Sequence, residues 1–255
     1  MKNSQILRII VFYIIAISLS NIFRFDMLGW NSVLDKLPVF TLILFSPLGA
    51  IGVIIGALIS INLLKKKRKT NMSIWGTSKK LSILMSLIPI VLMLIIGVTN
   101  SKSINNHYFG LIGAVATFIY CFAEEIGWRG YLEDELWEIK PLIKYSLIGL
   151  LWYFWHLSFI NDFSILSNLL SLGILILGSW GIGQVAMKTK SIIACTCFHL
   201  LVNIMVFNPI IKNGITSSSK LIILFVSIGI WIFVLRNWRD DVARSALAEN
   251  KLLRK

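Results

Sequence analysis

Long apolar runs separated by short polar segments make up most of the chain. They fall at residues 9 to 23, 38 to 64, 81 to 98, 109 to 123, 145 to 160, 165 to 187, 191 to 211 and 221 to 235. At a rise of ~1.5 Å per helical residue, about 20 residues cross a hydrocarbon core of ~30 Å. Flanking residues or local bilayer thinning can complete the shorter runs. The pattern therefore predicts an all-α fold, a polytopic transmembrane helical bundle of about eight transmembrane helices. No Pro/Gly/Ser-rich linker divides it, so residues 1–255 read as a single integral membrane domain. Gly52, Gly56 and Ser60 repeat at four-residue spacing in the second run, and Gly173, Gly178, Gly181 and Gly183 crowd the sixth. Small residues spaced in this way let helix backbones approach closely.

Composition supports lipid as the solvent for most of the surface. Hydrophobic residues make up 56% of the chain and charged residues 15%, against about 25% charged in soluble domains. The net charge of +13 would point to nucleic acid in a soluble protein. Here the densest basic run, Lys65–Lys69, adjoins an apolar run, where it can hold a helix end against anionic headgroups. No aromatic-interleaved basic surface accompanies it, so nucleic acid is not an expected partner.

The same basic residues give an orientation. With the N-terminus inside, twenty Lys and Arg fall on the cytoplasmic side and five fall outside, namely Arg24, Lys36, Lys102, Lys212 and Lys220. The positive-inside rule then predicts an integral protein of the plasma membrane with both termini cytoplasmic. No small-residue cleavage site follows the first run, which is expected to be retained as a span. Cys121, Cys195 and Cys197 all lie within apolar runs and read as small apolar fillers rather than a disulfide framework.

Chemistry is concentrated where polar groups interrupt these runs, because an ionisable residue inside a span is a functional candidate by default. Glu124, Glu125 and Arg129 end the fourth run. Glu125 and Arg129 are four apart, acid first, the favourable order for an ion pair on one helical face. Glu124 is turned about 100° away and can face a cavity as a general base. The alternative is a helix end surfacing into solvent, continued by Glu133, Asp134 and Glu135. Trp152 and His156 lie in the fifth run, and His199 and Asn203 form an i, i+4 pair in the seventh. Counting from the inner boundary puts both histidines ~12–17 Å deep. Three helices can thus bring a carboxylate, two imidazoles and an amide to one cavity, a set suited to hydrolysis.

Glu-Glu-x-x-x-Arg, aromatic-x-x-x-His and His-x-x-x-Asn, in this order and spacing, resemble the CAAX prenyl protease and bacteriocin-processing family of intramembrane proteases, also called the Abi family. The motif-bearing core covers residues 108–207. The resemblance implies a cavity opening toward the cytoplasm, Glu124 as the base that activates water, His156 and His199 lining the site, and Asn203 with a histidine stabilising the oxyanion. In the family the second motif usually begins with Phe; here it begins with Trp152.

The implied activity is an intramembrane endopeptidase acting on a membrane-associated peptide, a prenylated or leader-type peptide or another membrane protein. The alternative is a non-enzymatic membrane scaffold or bacteriocin self-immunity protein. A zinc site could draw on Glu124, His156 and His199. With no His-Glu-x-x-His present, a site without metal or other cofactor is the preferred expectation.

Overall fold

The computed structural model describes residues 3–34, 36–208, 211 and 213–238. The chain ends, which the charge count assigns to the cytoplasm, lie outside them, as does Lys212. Each apolar run becomes helical. The helices are α1 (Asn3–Arg24), a short α2 (Trp30–Leu34), α3 (Thr41–Asn62), α4 (Lys79–Ile96), α5 (Asn106–Glu135), α6 (Pro141–His156), α7 (Ser158–Asn161), α8 (Ile165–Thr189), α9 (Ile192–Val202) and α10 (Ser217–Arg236). The protein is an all-α polytopic bundle embedded in a membrane. Among the described residues, six helices are long and apolar enough to cross a bilayer by themselves; α6 and α9 are shorter.

Length follows position in the bundle. Helices α1, α8 and α10 expose large apolar side chains such as Ile14, Leu177 and Phe233, as a lipid-facing surface requires. Helix α9 is buried along most of its length, and α5 is the most buried of the long helices. Polar residues mark where helices begin: Ser78, Asn105, Ser164, Ser191 and Thr216 each accept a backbone N–H of the first turn of α4, α5, α8, α9 and α10.

Hydrogen bonds between loops define two ends of the bundle. At one end Arg8 pairs with Glu135, Lys66 with Asp134, and Thr77 bonds to Thr189. At the other, Arg24 bonds to the α6 carbonyls and Thr99 to Gly214. The basic run Lys65–Lys69 belongs to the first end.

Close helix approach occurs where the small-residue stripe of α3 meets α1. A Cβ on Gly52 would lie 2.7 Å from the Ala16 carbonyl oxygen and one on Gly56 2.7 Å from that of Phe12, while Ser60 Oγ donates to the Arg8 carbonyl at 3.3 Å. Gly183 on α8 likewise lies against the Tyr145 ring, whereas Gly173 on the same helix faces open space. Overpacking a close contact costs about 1–3 kcal/mol. Gly56→Val should therefore lower the thermal midpoint of detergent-solubilised protein, with Gly173→Val close to wild type. Equal midpoints for the two variants would contradict the packing.

Candidate active site

Helix α5 carries both carboxylates of the first motif into the interior, and the backbone changes pitch immediately after them. Residues Trp128–Leu132 form a π-helical turn, and the Trp128 N–H is shared between the carbonyls of Glu124 and Glu125. Such wide turns are frequent at functional sites. Glu124, Glu125 and Arg129 are all fully buried, so the solvated-face alternative does not hold. Glu133, Asp134 and Glu135 are buried as well, in pairs with Lys144, Lys66 and Arg8.

The two glutamates have separate partners. One Glu125 oxygen, Oε1, lies 2.8 Å from His199 Nδ1, and the other, Oε2, lies 3.3 Å from Arg129 Nε. Arg129 also donates to the carbonyl and Oγ of Ser179 on α8, at 3.3 and 3.4 Å. The i, i+4 pair inferred from spacing is present, and Glu125 reaches further than expected by pairing with the imidazole of His199.

Glu124 is held by indoles. Its Oε2 accepts from Trp152 Nε1 at 2.8 Å and Trp128 Nε1 at 3.3 Å, while Oε1 makes no hydrogen bond among the described residues. Trp152 is the shared contact of the site: its ring meets the His199 ring edge to face at 4.7 Å, and the Arg129 guanidinium lies 5.4 Å from its centroid. The only sequence signal for the N–H contact was the departure from Phe, since phenylalanine has no such donor.

His156 is not in mid-span. Helix α6 ends at His156 because Leu157 turns left-handed at φ 50°. The carbonyls this leaves unpaired, those of Trp155 and His156, accept from the Arg24 guanidinium at 2.9 and 3.3 Å. Arg24 also lies over the Trp155 ring, 4.3 Å from its centroid, a role its sequence position did not announce. His156 Nδ1 lies 2.8 Å from the Trp152 carbonyl. On α9, Asn203 opens a second π-helical turn, Asn203–Phe207, and its Nδ2 donates to Cys121 Sγ at 3.3 Å. Cys121 is therefore a polar partner as well as a filler.

A cavity of about 780 Å³ extends from this layer to one end of the bundle, lined by Tyr120, His156, Asn203, Arg24, Asn31 and Asn208 among others. Tyr120, one turn before Glu124, interacts with the Glu124 carboxylate and was not anticipated. Glu124, Glu125, Arg129 and His199 do not line the cavity. All the motif residues thus fall into two adjoining groups, a buried charged layer and a polar cavity wall. The cavity occupies the end of the bundle opposite Lys65–Lys69. A cytoplasmic Lys65–Lys69 run and a cavity open to the cytoplasm therefore cannot both hold.

Among the described residues no three His, Cys, Asp or Glu side chains come together as a ligand set. Of the residues named as alternative zinc ligands, Glu124 Oε2 faces two indoles and His199 Nδ1 faces Glu125, which leaves Glu124 Oε1 and His199 Nε2 as their open atoms.

Residues 106–205 match the family described as type II CAAX prenyl endopeptidase Rce1-like. The chain is also similar to a CAAX prenyl protease 2 of Methanococcus maripaludis, at 33% identity over 98 residues, covering 32% of this chain and 34% of that protein. The chain thus spans about one third of the length of this curated relative. The match begins at the start of α5 and ends just past Asn203, enclosing both the charged layer and the motif residues of the cavity wall. Over residues 106–205, then, the chain is similar to the type II CAAX prenyl endopeptidases of the Rce1-like family, a likeness that supports a membrane protease of the CAAX type.

Proposed function

We propose that the protein is an intramembrane endopeptidase in which Glu124 activates water for attack on a peptide bond held in the cavity. The observation that carries this reading is the asymmetry of the Glu124 carboxylate. One oxygen is fixed by two indole N–H groups and the other is buried without such a donor, while the Tyr120 hydroxyl, which interacts with this carboxylate, belongs to the polar cavity wall. A carboxylate oriented in this way is prepared to take a proton from a water at its second oxygen, and pre-paid orientation lowers a barrier.

The hydroxide so formed adds to the carbonyl carbon. The developing oxyanion accepts from a histidine and from Asn203 Nδ2, which turns to it from Cys121 Sγ and the His199 carbonyl, in a site shielded from bulk water. For His199 to donate from Nε2, both ring nitrogens must carry protons, and Glu125 beside Nδ1 supplies the counter-charge. The proton held by Glu124 then passes to the leaving amine as the C–N bond breaks, which returns the carboxylate. Every step uses side chains of this chain and water. The substrate is a peptide or membrane protein whose scissile bond can reach bilayer depth.

Two substitutions at adjacent positions test the reading. Glu124→Gln keeps the shape and the acceptor for the indoles but cannot take the proton, so cleavage should fall by at least ~10²-fold with yield unchanged. Glu125→Gln leaves Arg129 buried without its counter-charge, a loss of about 3–5 kcal/mol for a broken buried pair, and should reduce folded protein. Normal cleavage by well-folded Glu124→Gln would refute the mechanism and leave a scaffolding or immunity role for the same bundle.

Trp152→Phe tests the indole contact itself. It restores the ring usual at this position in the family but removes the 2.8 Å donor to a buried carboxylate. Leaving such a group under-satisfied costs about 1–3 kcal/mol. The expected result is a kcat lowered about tenfold with KM near wild type. An unchanged kcat would reduce Trp152 to packing.

A further inference from the structure

The charge distribution and the location of the cavity, taken together, assign a side of the membrane to the site. The cavity wall is built from one end of the bundle: the end of α1 with Arg24, Asn31 on α2, the first half of α5, the end of α6 with His156, and Asn208 after α9. None of the residues lining the cavity comes from the end where Lys66 pairs with Asp134 and Thr77 with Thr189. Eleven Lys and Arg lie in the loops and at the helix ends of that basic end, five of them in the unbroken run Lys65–Lys69. The cavity end has four among the described residues, and one of these, Arg24, is engaged in capping α6. Basic residues in short loops next to spans are what fixes orientation, and they mark the cytoplasmic face. This bias excludes the chain ends from the count, so it does not depend on residues beyond those described.

The mouth of the cavity has a second relevant property. Between α1 and α3, Met27, Leu28, Trp30 and Val33 are exposed, and Phe163 and Ile165 are exposed beyond α6. Apolar and tryptophan side chains gathered at the end of a bundle suit the headgroup boundary of a leaflet. A peptide approaching this mouth meets lipid rather than open water.

We infer that the cavity opens on the face of the membrane opposite the cytoplasm. Its substrate is accordingly a membrane-associated polypeptide presented from the extracytoplasmic side at the depth of the outer leaflet, not a lipidated tail displayed in the cytoplasm. The substrate half of this inference rests on the proteolytic reading; the orientation half does not.

The test uses the full chain in intact cells and a membrane-impermeant maleimide. The native cysteines Cys121, Cys195 and Cys197 are buried, so single exposed cysteines can be placed at Asn31→Cys and Lys102→Cys on the cavity end and Lys67→Cys on the basic end. The first two should label in intact cells and the third only after permeabilisation. Labelling of Lys67→Cys in intact cells, or of Asn31→Cys and Lys102→Cys only after permeabilisation, overturns the orientation. In the second arm a membrane-anchored peptide is supplied to the outer face of the same cells. It should be cut, with the rate lost in Glu124→Gln. External labelling of Asn31→Cys without cleavage of that peptide would uphold the orientation and count against the substrate class. Cleavage of the peptide only when it is displayed on the cytoplasmic face would overturn the substrate assignment.

Discussion

Everything in the motif-bearing half of the bundle answers to one constraint: two adjacent carboxylates, Glu124 and Glu125, are buried in an apolar bundle. A single charge at the centre of a span costs about 2.5–3.5 kcal/mol even on the lenient insertion scale. The fold meets this cost by recruiting one helix per contact. Glu125 is met by Arg129 on its own helix and His199 on α9, Arg129 extends the link to Ser179 on α8, and Glu124 is met by Trp152 on α6. Four helices are therefore positioned by the need to satisfy two side chains.

The two glutamates differ in what they leave over. Glu125 spends both oxygens on partners, so its role is inseparable from stability. Glu124 spends one and keeps the other in reserve beneath the cavity wall. The π-helical turns reinforce this division, since one follows directly after the carboxylates and the other begins at Asn203. Each shifts the register of a helix where its side chains must meet those of another element.

Much of this was legible in the sequence. Apolar runs located the long helices, the small-residue stripe marked the face of α3 that a neighbouring helix approaches, and motif spacing located the paired Glu125 and Arg129. These are local signals carried within one or two turns. What was not legible is long-range or conformational. The Trp152–Glu124 bond joins residues 28 apart, and Arg24 caps a helix 131 residues away. The termination of α6 at His156 depends on Leu157 adopting a left-handed conformation without the glycine that would announce it. The shortness of α6 and α9 was also hidden, because a helix shielded by its neighbours need not span the full hydrocarbon thickness.

The central claim is that an indole-held glutamate activates water without a metal ion. In this reading Glu124 Oε1 takes the proton and His199 Nε2 meets the oxyanion, while Glu124 Oε2 is held by tryptophan and His199 Nδ1 by Glu125. The most direct measurement is elemental analysis of purified, active protein combined with peptide cleavage after exhaustive chelation. The account predicts metal well below one equivalent and undiminished cleavage. One equivalent of zinc whose removal abolishes cleavage and whose return restores it would contradict the account.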